Sequence, residues 1–373
     1  MFNKALTTLK ERLSPHLALS NSRLETMCLL VVGMVNARTV NLSHLACEFP
    51  SDTKVESTYR RLQRFFQYVD LGPDWAAPLL VKMIGPCTSW YLCLDRTNWK
   101  IGQRHVNFLV LALVTRRHRI PLMWSVLGRA GNSDTAQRVA LMERYLSVFE
   151  VSTIKFLLAD REFIGAQWLN FLHKNNIPFV IRIKANQIVT TQDRQTKNLS
   201  SLLRTCRGKR DFNARFGGNK SDEATWFTLA AKRIKGGELL IVVTNRPAHH
   251  ALTTYKKRWA IENLFGDTKT RGFNLEDTRL TIAKKLDLLL GLVALAVAWA
   301  SKTAAKLIGT RKMKRKKHGY FAKSFFRIGF DQIRKLLRSD PTAAVSPWLL
   351  IPAKIKRVVS MLQFFTPCFT DDT

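Results

Sequence analysis

A chain of 373 residues with 46% apolar content is long enough for one large domain with appendages or for two to three domains, and it can bury a sizeable core, so disorder is excluded as the default. Its 60 Lys+Arg against 27 Asp+Glu leave a net charge of +33, too large for a typical metabolic enzyme; the partner must be a polyanion, either nucleic acid or an anionic membrane surface. Six scattered cysteines, without CxxC or Cys/His zinc spacing, point away from a disulfide framework or zinc site and fit a reducing cytosol.

Residues 1–75 read as a helical region. The cations Lys4, Lys10 and Arg12 have no long apolar run behind them, so no signal peptide is expected. Arg23 to Ala37 is a long apolar-periodic stretch, and Ser51-Asp52 offers a cap before a helix over Lys54 to Phe66. Within that helix Leu62, Phe65 and Phe66 form an apolar stripe at i, i+3, i+4, while Arg60, Arg61 and Arg64 lie on or beside the other face. A basic amphipathic helix after a shorter one suits DNA contact; the alternative is a solvated basic face.

Residues 85–184 predict an α/β unit. Trp90 to Leu94 is a strand ending at Asp95; Val106 to Val114 and Ile120 to Leu127 follow as the rest of an antiparallel meander. Asn132-Ser133-Asp134 caps a helix to about Phe149, Ile154 to Leu158 is a short buried strand before Asp160, Ala166 to Asn175 is a helix and Phe179 to Ile183 a strand. The order β-β-β-α-β-α-β is that of a ribonuclease-H-like fold.

Residues 185–250 break this rhythm. Polar and basic residues dominate Lys184 to Lys220, Gly217, Gly218, Gly236 and Gly237 mark turns, and Trp226 to Ala230 and Leu239 to Thr244 are strands of a β-rich insertion. Residues 251–308 return to helix: 251–271, ended by Gly272, and 280–308. The second contains the 13-residue apolar run Leu288 to Ala300, short of the ~20 residues of a membrane span, so a buried core helix is expected and no membrane partner. Residues 309–373 form a basic C-terminal region in which Arg311 to Lys317 sets six cations in seven residues, including Lys314, Arg315, Lys316 and Lys317, as a mobile electrostatic contact.

The acids carry the chemistry. Tyr255, Arg258 and Lys269 sit at −7, −4 and +7 from Glu262; at ~100° per residue each stays within roughly 40° of Glu262 on a helix. One carboxylate, two cations and a phenol thus share a face. The plainer alternative is an i,i+4 surface ion pair between Arg258 and Glu262. Asp95 follows Tyr91-Leu92-Cys93-Leu94 and Asp160 follows Phe156-Leu157-Leu158-Ala159, so each acid is half-desolvated at a strand end and needs a balancing cation. Each could serve as a strand-end cap or ion pair, Asp160 with Arg161 for example. In a ribonuclease-H-like sheet the first strand and the end of the fourth lie side by side, with the last helix across them, so Asp95, Asp160 and Glu262 would converge.

These residues resemble a DDE transposase of bacterial insertion sequences, more narrowly the insertion-sequence-four family, whose signature matches the spacing of Tyr255, Arg258, Glu262 and Lys269. LCLDRTNW carries the first acid and LLADREF the second. The resemblance covers roughly residues 20–310 in element order. It implies a ribonuclease-H-like catalytic domain with a β-strand insertion, a helical N-terminal DNA-binding region and a basic helical C-terminal region. It further implies two Mg²⁺ ions held by Asp95, Asp160 and Glu262, with Mn²⁺ able to substitute. Tyr255, Arg258 and Lys269 would hold phosphates. The partners implied are double-stranded DNA, as element ends and as target, and a second copy of the chain in the paired-end complex. The setting is the bacterial cytoplasm, at the nucleoid, and the reaction is cut-and-paste transposition. A catalytically inactive DNA-binding protein and a nuclease without strand transfer remain the alternatives. Some members hold a flipped base on an insertion tryptophan; here that residue would be Trp226, whose strand-like setting predicts core packing instead.

Overall fold

The computed structural model describes residues 2–49, 53–127, 133–216, 225–269, 271–311, 313, 316–317 and 321–353. Five helices come first: α1 (Phe2–Leu13), α2 (Asn21–Ala37), α3 (Leu42–Ala46), α4 (Val55–Tyr68) and α5 (Ala77–Ile84). The meander is β1 (Trp90–Ile101), β2 (Arg104–Val114) and β3 (Arg119–Leu127). Then come α6 (Thr135–Val148), β4 (Ile154–Ala159), α7 (Ala166–Lys174) and β5 (Phe179–Ile183). The insertion contributes β6 (Ile188–Thr191), β7 (Thr196–Asn198), α8 (Leu199–Leu202), β8 (Lys209–Phe216), β9 (Phe227–Arg233) and β10 (Leu239–Thr244). The chain returns through α9 (Ala251–Tyr255), α10 (Trp259–Thr268), α11 (Ala283–Ile308), α12 (Phe325–Ser339) and α13 (Pro341–Val345).

Among the described residues the strands form one sheet in the order β3-β2-β1-β4-β5-β10-β9-β8-β6-β7. The antiparallel meander and the parallel β1–β4–β5 core are the mixed α/β arrangement expected, and the order is consistent with a ribonuclease-H-like fold. The insertion is not a separate layer. Its β10 pairs antiparallel with β5, so its strands prolong the catalytic sheet. Three short polar elements in it, β6, β7 and β8, carry few buried residues and gave no apolar alternation to read. The expected cap at Ser51-Asp52 lies outside the described residues, as do Asn132, Gly217, Gly218, Lys314 and Arg315. Asp134 caps α6 in a capping box with Gln137.

A single apolar core runs under both the helical and the sheet regions. Its axis is α11, buried from Leu288 through Ser301. This helix is long and apolar enough to cross a membrane, yet 94% of its most apolar window is buried inside the protein. It packs on β3, α2, α5 and α12. Gly329 of α12 lets the two helices touch: a Cβ there would stand 1.8 Å from the Ala300 carbonyl oxygen. The N-terminal helices and the amphipathic α12, with Phe326, Phe330, Ile333 and Leu337 inward, therefore share their core with the sheet.

His118, in the β2–β3 connection, has its ring 2.9 Å from Ser301 Oγ of α11. Burial, with Lys302 and Arg117 nearby, pushes its pKa down to about 4. The folded chain then accepts this proton less readily than the unfolded chain, whose imidazole titrates near ~6.5. The stability held by neutral His118 is complete above that value and is lost as pH falls from ~6.5 toward 4. Urea unfolding at pH 7 and pH 4.5 is expected to show His118→Gln losing roughly 2 kcal/mol less than the wild type. Equal losses would place the acid sensitivity elsewhere.

Candidate active site

The site is built where β1 and β4 run parallel. Leu94 pairs with Ala159, so Asp95, the next residue of β1, and Asp160, the residue just past the end of β4, follow one paired position. β4 stops at Ala159, whereas β1 continues through Asp95 to Ile101. The expectation that the first strand ends at Asp95 is therefore corrected. The reason is visible in the residues that follow: Thr97, Trp99 and Ile101 are buried while Asn98 and Lys100 are exposed, a period-2 pattern sustained by pairing with β2.

The single helix expected over 251–271 is also corrected. α9 ends at Tyr255, Lys256–Arg258 form a 3₁₀ turn, and α10 ends at Thr268. A 3₁₀ turn repeats every three residues, which keeps Tyr255 and Arg258 on one face. The Arg258 guanidinium sits 5.8 Å from the centroid of the Tyr255 ring. α10 crosses β1, β2 and β3.

Side chains of this segment meet the acids directly. Arg258, only 8% exposed, donates to Asp95 Oδ2 at 3.2 Å and to Glu262 Oε1. Tyr255 Oη donates to Asp160 Oδ1 at 3.1 Å. The backbone N–H of Arg96 and of Arg161 donate to Asp95 and Asp160, each at 2.8 Å. The three acids are thus joined by one guanidinium and one phenol. Among the described residues no three metal-ligating side chains stand close enough together to hold one ion, and Arg258 bridges Asp95 and Glu262. The donors themselves, all carboxylate oxygens, suit a hard divalent cation.

The electrostatics follow from burial. Desolvation raises the Asp95 carboxyl to about 6 against the lowering pull of the Arg96 N–H and Arg258, with Glu162 and Asp160 adding repulsion. Burial raises the Tyr255 phenol above its ordinary range, although Arg258 opposes this. Tyr255 is therefore a neutral O–H donor. Arg258 is held charged: desolvation alone would lower it, but Tyr255, Asp160, Asp95 and the bond to Glu262 outweigh that.

Other expected residues are distributed more widely. Lys269 is the residue after α10, off the shared helical face; its Nζ donates to the Asn98 carbonyl on β1 at 2.8 Å and lies 3.6 Å from Glu276. Arg60 and Arg64 line an open groove of about 760 Å³ together with Gln63, Gln67, Arg279 and Lys285. Arg61 instead turns to α2, donating to Thr26 Oγ1 at 2.8 Å and lying 3.8 Å from Glu25, which fixes α4 in place. Lys316 and Lys317 are exposed. Trp226 is not in the core: it is 43% exposed just before β9, with Arg215 over its ring. The sequence reading passed over Glu162, which pairs with Arg96 at 3.3 Å and whose carbonyl accepts from the buried Arg138. Its place two residues after Asp160 was the available signal.

A family model described as a transposase DDE domain matches residues 87–299, the stretch from the start of the meander into α11. It encloses Asp95, Asp160 and Glu262. A search of curated proteins finds no match to the chain.

Proposed function

The chain belongs to the transposase DDE-domain family, and on that premise we propose that it binds the ends of its own insertion sequence, cleaves them by metal-dependent hydrolysis and joins the freed 3′-hydroxyls to target DNA. The narrower assignment, to the insertion-sequence-four family with its Tyr-Arg-Glu-Lys signature, rests on Tyr255, Arg258, Glu262 and Lys269. The observation that carries the proposal is the junction of Asp95 on β1 and Asp160 just past the end of the parallel β4 with the Glu262 segment, through Arg258 and Tyr255.

Asp95, Asp160 and Glu262 would hold two Mg²⁺ ions, or Mn²⁺ in their place. Bound there, such ions polarise phosphate oxygens and activate water in cleavage and the 3′-hydroxyl in joining. The chain's own residues supply position and charge. Asp95 is fixed by strand backbone and Asp160 by the Arg161 N–H and the Tyr255 hydroxyl, so both lose little entropy when they act. Tyr255, a neutral phenol, orients Asp160 through its single O–H and would turn that O–H to a phosphate once DNA is bound, acting as a donor rather than as a nucleophile. Arg258 and Lys269 clamp phosphates beside the acids. Arg60 and Arg64, with Arg279 and Lys285 in the same groove, take duplex DNA away from the cut. Arg61 holds their helix. Lys314, Arg315, Lys316 and Lys317 add a contact that is indifferent to sequence. Two copies act together on paired ends in the bacterial cytoplasm.

Mapping strand breaks after incubation with candidate element ends and Mg²⁺ tests the cleavage step. Pre-cut ends with a free 3′-hydroxyl, supplied with a target plasmid, test the joining step. Joined product is expected. Cleavage without joining would make the protein a nuclease, and binding with neither would make it an inactive DNA-binding protein.

A further inference from the structure

A cluster of cations stands on the outer face of α12, beside the C-terminal end of α2. Arg334, Lys335 and Arg338 line an open hollow of about 440 Å³ with Asp331 and Ser339. Arg334 Nε donates at 3.2 Å to the carbonyl of Asn36 in the last turn of α2, and Arg38 follows that helix directly. Burial, with Arg38, Arg338 and Arg327 around it, holds the Arg334 guanidinium below its ordinary range, although Asp331 opposes this. Asp331 is already taken by Lys323 and Arg327, each at 2.8 Å. Arg38, Arg334, Lys335 and Arg338 form no ion pair with a carboxylate among the described residues. The Arg38 Nε is out of solvent and has no hydrogen-bond partner among them.

Four like charges held together without a counter-charge repel one another, and an anion that spans them relieves the repulsion. The hollow is lined by no aromatic ring, and the apolar side chains Phe326, Phe330, Ile333 and Leu337 of α12 face the core, so it offers nothing to an unstacked base or to lipid chains. A second copy of the chain, itself at +33, is repelled by it. A row of phosphates fits. The groove beside α4 contains Asn41, Gln63 and Gln67, amides able to read base edges. The α12 hollow has no amide, and its open cations suit the backbone of a duplex of any sequence. Joining requires such a duplex. The cluster also lies on the flank of the active site that carries Lys269. Phe326 and Phe330 pack on Phe273, just after Lys269, with ring centroids 5.9 and 5.2 Å apart. Asp277 accepts at 3.2 Å from Thr39, the neighbour of Arg38. We propose that Arg38, Arg334, Lys335 and Arg338 bind the phosphate backbone of the target duplex, the DNA that receives the ends, apart from the α4 groove that takes the element's own end.

The inference rests on the reading of this chain as a transposase, but its test needs neither metal nor cleavage, so the two can fail separately. The full chain in EDTA is titrated over a range of salt with two labelled duplexes, one of random sequence and one carrying a candidate element end. Lys335 and Arg338 are exposed, so Lys335→Gln with Arg338→Gln leaves the core untouched. On the random duplex this double variant is expected to flatten the slope of log K against log salt by about 1.8, the counterions of two phosphate contacts. On the end duplex the slope is expected to change by less than about 0.5. On the wild-type chain, the random duplex is expected to protect Lys335 from acetylation, read by mass spectrometry, which keeps the test independent of variant folding. An unchanged slope on the random duplex, or no protection of Lys335, would overturn the inference alone. An equal flattening on both duplexes would make the hollow part of the end-binding surface and overturn its assignment to the target. A wild-type chain that binds neither duplex would remove the proposed function along with it.

Discussion

Asp95→Asn is expected to remove DNA cleavage by about 10³-fold or more while affinity for end DNA stays within about twofold, because cation-bound carboxylates contribute several kcal/mol at the reacting phosphate. The substitution keeps the shape of the side chain. The Arg96 N–H reaches Asp95 Oδ1 at 2.8 Å and Arg258 reaches Oδ2 at 3.2 Å, so the single asparagine oxygen keeps one of these two bonds and its NH2 takes the place of the other acceptor. What disappears is the negative charge, and hard divalent cations depend on it. Asp95 is also more deeply desolvated than Glu262, with 17% of its side chain exposed against 36%. Water is less able to replace it. Arg60 and Arg64, the duplex contacts proposed above, lie in a different groove, so affinity is expected to be kept. Strand-break mapping and anisotropy titration on the same preparation separate the two effects. Cleavage by the variant at the wild-type rate would remove Asp95 from the site.

Much of this arrangement was legible because burial writes itself as pattern. Asp95 and Asp160 each follow four apolar strand residues, and the parallel pairing of β1 with β4 sets them abreast. Glu262 was legible from spacing, since three- and four-residue steps keep to one helical face even when a 3₁₀ turn interrupts it. The misses share a different physics. Lys269 follows α10, where helical periodicity no longer applies, and it reaches β1 through a backbone carbonyl that carries no sequence identity. Arg61 sits among exposed arginines in sequence, yet a hydrogen bond to Thr26, 35 positions away, decides its role. Trp226 lies just outside β9, and one residue of displacement at a strand end is enough to turn a core tryptophan into an exposed one. Tertiary contacts between distant positions settled the first two, and a strand boundary the third.

Arg258→Ala is expected to lower the stability of the metal-free protein by about 1–3 kcal/mol and to make Mg²⁺ restore most of it. Arg258 neutralises Asp95 and Glu262 together, and it is nearly out of solvent. Without it two acids are left facing Asp160 with no cation between them, an arrangement that favours protonation or a divalent ion. In the wild type the guanidinium already occupies that electrostatic role, so Mg²⁺ alone should raise the melting temperature little. A DNA phosphate offers Arg258 another anion; if Arg258 turns to it, Asp95 and Glu262 are released for metal. Binding of end DNA and of Mg²⁺ should then reinforce each other in the wild type, and the reinforcement should vanish in the variant. Thermal melts of both proteins, with and without Mg²⁺ and with and without end DNA, give the four values required for each. The same Mg²⁺ shift in variant and wild type, with DNA absent, would show that Arg258 does not stand in for the cation. In that case its contacts to Asp95 and Glu262 would be ordinary ion pairs, and its place in the Tyr255–Lys269 group would rest on phosphate binding alone.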